Sequence, residues 1–179
     1  MTFNIRALPF AVLALLAAAC GGNGATSSLA KPALSPTDSA FITGAGQASD
    51  AEIAAANLAL TRSTNADVLA FANLMITDHT QENQALAQVG AHVGQAAPTD
   101  VNATQAAAAA MLMPLSGAAF DKAYVTIEIT GHTMNLQNNY TPELASGTNA
   151  EVKQYATTYQ PQVQSHLTKA DAIQTKYGF

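Results

Sequence analysis

The sequence predicts an all-α fold, a four-helix bundle with an extra short crossover helix between the second and third long helices. Four long stretches keep an apolar residue at every third or fourth position, which is the spacing of one face of an α-helix. No stretch of any length shows the alternation typical of a strand. Each stripe is interrupted near its middle by a residue that can bind a metal, and these residues are Glu52, His79, His132 and His166.

Composition and charge narrow the class of protein. The chain has 179 residues, enough for one domain with an N-terminal extension. Hydrophobic residues make up 49% and charged residues 11%, so the chain can bury a core and is unlike a disordered polymer. Its net charge is -5 and it has no run of Lys or Arg, which argues against a nucleic-acid partner.

Residues 1–19 have the features of an export signal. Arg6 supplies a positive start, and the apolar run from Phe10 to Leu16 is too short for a permanent transmembrane helix. Three alanines then precede Cys20, the chain's single cysteine. This arrangement resembles the bacterial lipoprotein signal, in which the cysteine is lipidated and becomes the mature N-terminus. The alternative is an ordinary secretory signal cleaved nearby.

The expected location follows from this anchor. Gly21 stands after Cys20, where an aspartate would indicate retention at the inner membrane. We therefore expect an outer-membrane lipoprotein of a bacterial cell envelope that faces the periplasm and meets the membrane through its lipid. The alternative is a soluble periplasmic or secreted protein. Residues 20–34 fit a lipidated cysteine and a flexible tether, and residues 35–179 the helical domain.

Caps and periodicity predict the first pair of helices. Ser35, Pro36 and Asp38 mark the start of the first helix, and the second begins after Asn65, a residue type that caps helices. The predicted inward residues are Phe41, Ala45, Ala48, Glu52, Ala55 and Ala59 on the first helix, and Val68, Ala72, Met75, His79, Glu82, Leu86, Val89 and Val93 on the second. The spacing thus points His79 and Glu82 inward together.

The crossover and the third long helix follow. An alanine-rich stretch over 102–113, stopped by a proline, predicts the short crossover helix. Ser116 is expected to cap the third long helix, on which Glu128 and His132 are four residues apart and stack on one side. Pro142 is expected to help end this helix.

Gly147 is the second signal that ends the third helix. Residues 148–151 have the pattern of a capping box, which opens a fourth helix with His166 on its apolar face. Pro161 lies inside this helix and is expected to produce a kink.

The four residues that interrupt the stripes are predicted to lie at a similar depth. At about 1.5 Å of rise per residue, Glu52 and His79 each lie roughly 20 Å from the first hairpin turn. His132 and His166 lie roughly 22 and 28 Å from the second turn, in helices about 40 Å long. All four therefore fall near mid-length, whichever way the crossover runs.

Carboxylate and imidazole groups are costly to bury without partners, which leaves two interpretations of these residues. One is a metal site, because three imidazoles and one or two carboxylates suit a single transition ion such as Zn, Cu, Fe or Ni. Glu82 and Glu128 are the secondary ligand candidates. The other is a buried polar layer, in which the side chains satisfy one another and fix the register of the helices.

Several segments also resemble a known family, and they are Ala51 to Ile53, Met75 to His79, Ser116 to Tyr124, Gly131-His132, Glu151 to Ala156 and Gln164 to Leu167. The chain is similar over about residues 37–173 to the domain-of-unknown-function family 4142 of bacterial exported proteins. The resemblance implies a ferritin-like helical bundle. It places the family's recurring acid on Glu52 and its three histidines on His79, His132 and His166. It implies no particular activity.

The ligand pattern departs from that of ferritin-like di-iron proteins, which place one Glu on each of two helices and a Glu-x-x-His pair on each of the other two. Here His79 precedes Glu82, Glu128 stands four residues before His132, and the fourth helix has a glutamine before its histidine. The oxygen-rich ligand set of a di-iron centre is therefore incomplete.

No nucleophile elbow, phosphate-binding glycine loop or paired-cysteine zinc motif occurs in the sequence, so no catalytic residue is assigned. The predicted function is an envelope lipoprotein that acts, without enzymatic activity, as a binding or stress-related structural module with a His/Glu polar core. The alternative is a metal-binding ferritin-like protein that buffers Fe, Zn or Cu or acts as an oxidase. His92 is interpreted as a surface residue and the helical methionines as core filler.

Overall fold

A computed structural model describes residues 33–179, and every regular element in this range is helical. In chain order the elements are α1 (Pro36–Arg62), α2 (Ala66–Val93), α3 (Ala103–Leu112), α4 (Gly117–Asn135), a π-helical turn (Leu136–Tyr140), α5 (Thr141–Ser146) and α6 (Ala150–Tyr177). The predicted all-α class is confirmed. The predicted signal peptide over 1–19, Cys20 and the tether as far as residue 32 lie outside the described residues.

Side-chain caps begin the first two helices as the sequence predicts. The Ser35 hydroxyl accepts a hydrogen bond from the Asp38 backbone N–H at 3.1 Å, and the Asp38 carboxylate accepts one from the Ser35 N–H at 2.7 Å. The Asn65 side chain likewise accepts from the N–H groups of Asp67 and Val68. These bonds satisfy backbone donors that a helix N-terminus leaves unpaired.

Two of the predicted caps differ in the structure. Ser116 precedes α4 but makes no capping bond through its side chain to the described residues. α6 is capped by Asn149, whose Oδ1 accepts from the Glu151 N–H at 3.0 Å. The predicted capping box over 148–151 is therefore wrong, because Thr148 donates its hydroxyl and its N–H to Asp38 of α1.

Pro142 does not end the third long helix. The Thr141 N–H donates to the carbonyl of Leu136, five residues earlier, and this π-helical turn places Pro142 in the first turn of α5. The helix ends at Gly147, as predicted. α6 continues through Pro161.

The four long helical stretches pack so that each has two main neighbours. α1 packs against α2 and α4, and α6 packs against the same two helices. The short α3 lies between α2 and α4 in the chain and packs against α1 and α4. Within residues 33–179, no helix is both long enough and apolar enough to cross a bilayer.

A layer of polar side chains divides the core into two apolar clusters. Each long stretch contributes apolar residues to both sides of the layer, in the pairs Ala45 and Ala55, Met75 and Leu86, Val125 and Leu136, and Val163 and Ala170. The polar layer itself consists of Glu52, His79, Glu82, Glu128, His132 and His166, none more than 6% exposed. The helices are therefore held together on both sides of the candidate site.

A pair of buried acidic residues outside the polar layer, Asp38 and Glu143, lies where the start of α1 meets the turn before α6. Asp38 Oδ1 accepts from the backbone N–H groups of Thr148 at 2.9 Å and Asn149 at 3.1 Å. Glu143 of α5 is fully buried, as is Asp38, and packs against Gly147. Burial acts to raise the pKa of Asp38, but its hydrogen bonds hold that pKa below the ordinary value. Burial and the charge of Asp38 raise the pKa of Glu143 to about 7.

We expect Glu143→Gln to gain stability relative to the wild type as the pH rises from about 5 to about 8, because the wild type must then ionise a buried carboxyl group. The native state binds the extra proton between the ordinary glutamate pKa of 4.5 and about 7. The full shift corresponds to about 3 kcal/mol, and screening near the end of the domain reduces the expected gain to about 1–2 kcal/mol.

Urea unfolding of both proteins at several pH values measures this difference. Histidine titration in the polar layer is common to the two proteins and cancels in the comparison. A stability difference that stays constant with pH would show that Glu143 ionises normally.

Candidate metal centre

The structure brings together the four residues that interrupt the sequence stripes. Glu52 comes from α1, His79 from α2, His132 from α4 and His166 from α6, so every long helix supplies one. The three histidines are at most 1% exposed and Glu52 is 6% exposed. Their convergence follows from similar depth along the helices together with inward orientation on all four.

The three histidines lie at the centre of the polar layer. One ring nitrogen of each lies within 4.8 Å of a ring nitrogen of the other two. The ring centroids are 5.1 to 5.7 Å apart, and the rings are tilted or edge-on rather than stacked. Nitrogens that share one ion at about 2.1 Å lie about 3.4 Å apart. Binding of one shared ion therefore requires the ring nitrogens to move closer together.

Each of these rings is oriented by a hydrogen bond from one of its nitrogens. The three bonds are His79 Nδ1 to Glu82 Oε2 at 3.0 Å, His132 Nδ1 to the Glu128 carbonyl at 2.8 Å, and His166 Nε2 to Asp78 Oδ2 at 2.8 Å. Carbonyl and carboxylate oxygens accept hydrogen bonds, so these nitrogens carry the hydrogens. Metal-binding histidines are commonly fixed in this way by an acceptor on the far nitrogen.

The other nitrogen of each ring makes no hydrogen bond to the described residues, and these atoms are His79 Nε2, His132 Nε2 and His166 Nδ1. Buried polar atoms left unpaired are uncommon and cost about 1–3 kcal/mol each. Burial lowers the pKa of His166 to about 4. Its Nδ1 therefore keeps a free lone pair at neutral pH, which is the state that binds a metal.

Glu52 faces the histidines from α1. Its Oε2 lies 2.8 Å from His79 Nε2 without the alignment of a hydrogen bond, and its Oε1 lies 3.4 Å from His132 Nδ1. Burial acts to raise the pKa of Glu52, but the charges of His132 and His79 lower it to about 2. Burial acts to lower the pKa of His79, but Glu52 raises it well above the ordinary value. A metal ion that binds His79 would therefore displace a proton.

The secondary ligand candidates take different positions. Glu82 orients the ring of His79. Glu128 forms a second group with Glu52 and His132, in which one possible ligand atom of each lies within 4.8 Å of the others. Neither carboxyl oxygen of Glu128 makes a hydrogen bond of normal geometry within residues 33–179. Burial and the charge of Glu52 raise the pKa of Glu128 well above the ordinary value.

Asp78 is the site residue that sequence reasoning missed. It directly precedes His79, but successive residues of a helix point about 100° apart, so Asp78 faces α6 rather than the same point as His79. Its carboxylate accepts the hydrogen bond from His166. The sequence did show an acidic residue directly before the predicted ligand His79. The role of Asp78, however, depends on which helix packs against α2.

The structure also gives the exposure of two weaker ligand candidates, His92 and the methionines. His92 lies on the surface as predicted, with its side chain 71% exposed. The interpretation of the methionines as core filler holds for Met75, which is buried. It is wrong for Met111, Met113 and Met134, which are 62%, 62% and 47% exposed.

Comparison with known proteins identifies the family. Residues 23–173 match the family described as Domain of unknown function (DUF4142). The chain belongs to the DUF4142 family. This confirms the resemblance noted in the sequence and extends the match of this DUF4142 chain toward the N-terminus. No curated protein matches it.

A solved structure supports the helical fold of this DUF4142 chain. It is the crystal structure of a DUF305 fragment from Deinococcus radiodurans, with a TM-score of 0.71 and 16% sequence identity. The match covers 81% of this chain and 99% of that chain. At such low identity the similarity concerns the fold alone.

Proposed function

We propose that this DUF4142 protein binds a single transition-metal ion through His79, His132, His166 and Glu52. The observation that carries the proposal is a shared arrangement of the three imidazoles. In each, one nitrogen is bonded to an acceptor and the other makes no hydrogen bond to the described residues. Glu52 adds an ionised carboxylate beside them. A metal ion would satisfy these buried atoms together.

The donor set indicates the class of ion. Imidazole suits Zn, Cu, Fe and Ni, whereas Mg and Ca prefer sites built from oxygen. Three nitrogens and one carboxylate therefore favour a transition ion. We propose metal binding and buffering, which require only the ligand set, ahead of oxidase activity, which also requires a redox-active ion and a substrate.

We further propose that the domain is a ferritin-like four-helix bundle with α3 as its crossover. The four long stretches, the place of α3 in the chain and the mid-length ligands from every stretch support this assignment. The order of His79 and Glu82 on α2 still departs from the di-iron pattern. We therefore propose a mononuclear site in that bundle.

Metal titration tests this function. Untagged protein, purified without a chelator, should retain or take up about one equivalent of Fe, Zn, Cu or Mn. Elemental analysis after gel filtration measures the bound metal. Failure to take up any of these ions would overturn the proposal.

A self-satisfying polar layer is the second candidate, and the contact between Glu52 and His79 at 2.8 Å favours it. The opposite pKa shifts of these two groups describe an ion pair that needs no metal. In this case the layer would fix the register of the helices. Neither added metal nor a chelator would then change the melting temperature.

We also propose that the protein is lipidated on Cys20 and faces the periplasm from the outer membrane. The export signal over 1–19, the cysteine after three alanines and Gly21 support this location. The family match begins at residue 23, just after the proposed processing site.

Labelled palmitate should enter the wild-type protein and fail to enter Cys20→Ser, because the thiol is the proposed acceptor of the lipid. Metabolic labelling followed by membrane fractionation measures both lipidation and location. Equal incorporation into the two proteins would contradict the anchor.

A further inference from the structure

A groove between α1, α3 and α4 reaches the polar layer. Its volume is about 680 Å³, and small side chains such as Ala48, Ala51 and Ala108 form much of its wall. Glu52 and Glu128 line this groove, and the three histidines do not. The groove thus approaches the candidate centre from its carboxylate side.

The charge of the groove indicates the kind of solute that it admits. Among the described residues that line it, the ionisable side chains are Glu52 and Glu128, and none is Lys, Arg or His. Its other polar groups are amides and hydroxyls, together with the thioethers of Met111 and Met134. A cleft with largely apolar walls, an acidic side chain and no basic side chain attracts cations.

Glu52 is the ligand candidate that the groove makes accessible. Its side chain is 7% exposed, against 0–1% for the three histidines. Gly131 of α4 lies over it, and a Cβ at that position would stand 3.5 Å from Glu52 Oε1. Because glycine carries no side chain, the carboxylate oxygen stays open toward the groove.

α3 covers the groove but has few buried side chains that hold it in place. Leu112 is its one buried residue within the described chain, and most of its remaining positions are alanines. Segments with few buried contacts open locally at low free-energy cost. The groove can therefore widen without disruption of the two apolar clusters.

We propose that a hydrated metal cation enters the centre through this groove, between α1 and α4 and beneath α3, and meets Glu52 before the histidines. This inference rests on the proposed metal-binding function. Six waters at about 30 Å³ each occupy about 180 Å³, so a hydrated ion fits the groove. Glu52 then passes the ion to the imidazole nitrogens below it.

Gly131→Leu tests the route by filling the groove beside Glu52. Leucine is a better helix former than glycine, so helix propensity favours this substitution. Stopped-flow absorbance with Co²⁺ as the probe follows binding to the histidines. We expect uptake to slow at least roughly tenfold in Gly131→Leu, while the equilibrium Kd stays within about threefold of the wild type. Ala119→Leu, exposed on α4 and outside the groove, is the matched control.

Ala51→Leu narrows the groove from the opposite wall and decides the result if Gly131→Leu alters the affinity or fails to fold. Slower uptake in the groove variants, with an unchanged rate in Ala119→Leu, supports the route. Unchanged uptake in both groove variants overturns the route and leaves the metal-binding function standing. Absence of Co²⁺ binding by the wild type overturns that function, and the route with it.

Discussion

Replacement of His79, His132 and His166 by alanine is expected to abolish metal binding. The wild type should bind about one equivalent of a transition ion and the triple variant none, because each substitution removes one nitrogen ligand. At a free metal concentration of about 100 times Kd, binding stabilises the native state by about 2.7 kcal/mol. This corresponds to a rise of about 5–11 °C in Tm for a domain of this size. Thermal unfolding with and without metal measures the effect.

Two further variants make the test specific. Asp78→Asn keeps the size of the side chain that orients His166 but weakens the acceptor, and should raise the metal Kd about 10- to 100-fold. His92→Ala removes a surface histidine and should leave Kd unchanged. Equal metal binding by the wild type and the triple variant would place the ligands elsewhere. A wild type that binds no metal would favour the polar layer.

Replacement of Glu52 by alanine is expected to destabilise the metal-free protein by about 3–5 kcal/mol. Glu52 is the charge partner of His79 at 2.8 Å and also lies 3.4 Å from His132. Its removal takes away one of the two carboxylate partners of the buried His79 imidazolium and leaves Glu82, or requires that the ring lose its proton. Domains of this kind have total unfolding free energies of about 5–15 kcal/mol, so the expected loss is a large part of the native stability.

Urea unfolding in the presence of a chelator measures this loss. Glu151→Ala is the matched control, because Glu151 pairs with His92 on the surface and its removal should change stability by less than about 0.5 kcal/mol. A loss below about 1 kcal/mol in Glu52→Ala would show that the layer tolerates the loss of this partner of His79.

The predictions that succeeded rest on local patterns. Ser35 and Asn65 begin helices because their side chains bond to backbone N–H groups two or three residues ahead. The inward stripes are buried because a period of 3.6 residues sets a face regardless of what packs against it. Helix rise likewise places Glu52, His79, His132 and His166 at a similar depth.

The predictions that failed depend on contacts between elements. Thr148 has the residue type of a cap, but Asp38 lies 110 residues away in the chain and takes its hydroxyl and N–H. Pro142 is tolerated because the π-helical turn before it changes the register of the helix. Asp78 gains its role from α6, whose place beside α2 no local pattern records.

The sequence by itself determined the all-α class and the four inward residues that share a similar depth, because helix periodicity and caps are properties of neighbouring residues. The resemblance of several segments indicated the family. The tertiary structure decided which nitrogen of each histidine is bonded, that Glu52 lies beside His79, and that a groove opens on the carboxylate side. These features depend on the rotation and the neighbours of each packed helix. The physical reason is that hydrogen-bond partners and cavities arise only when separate helices come into contact.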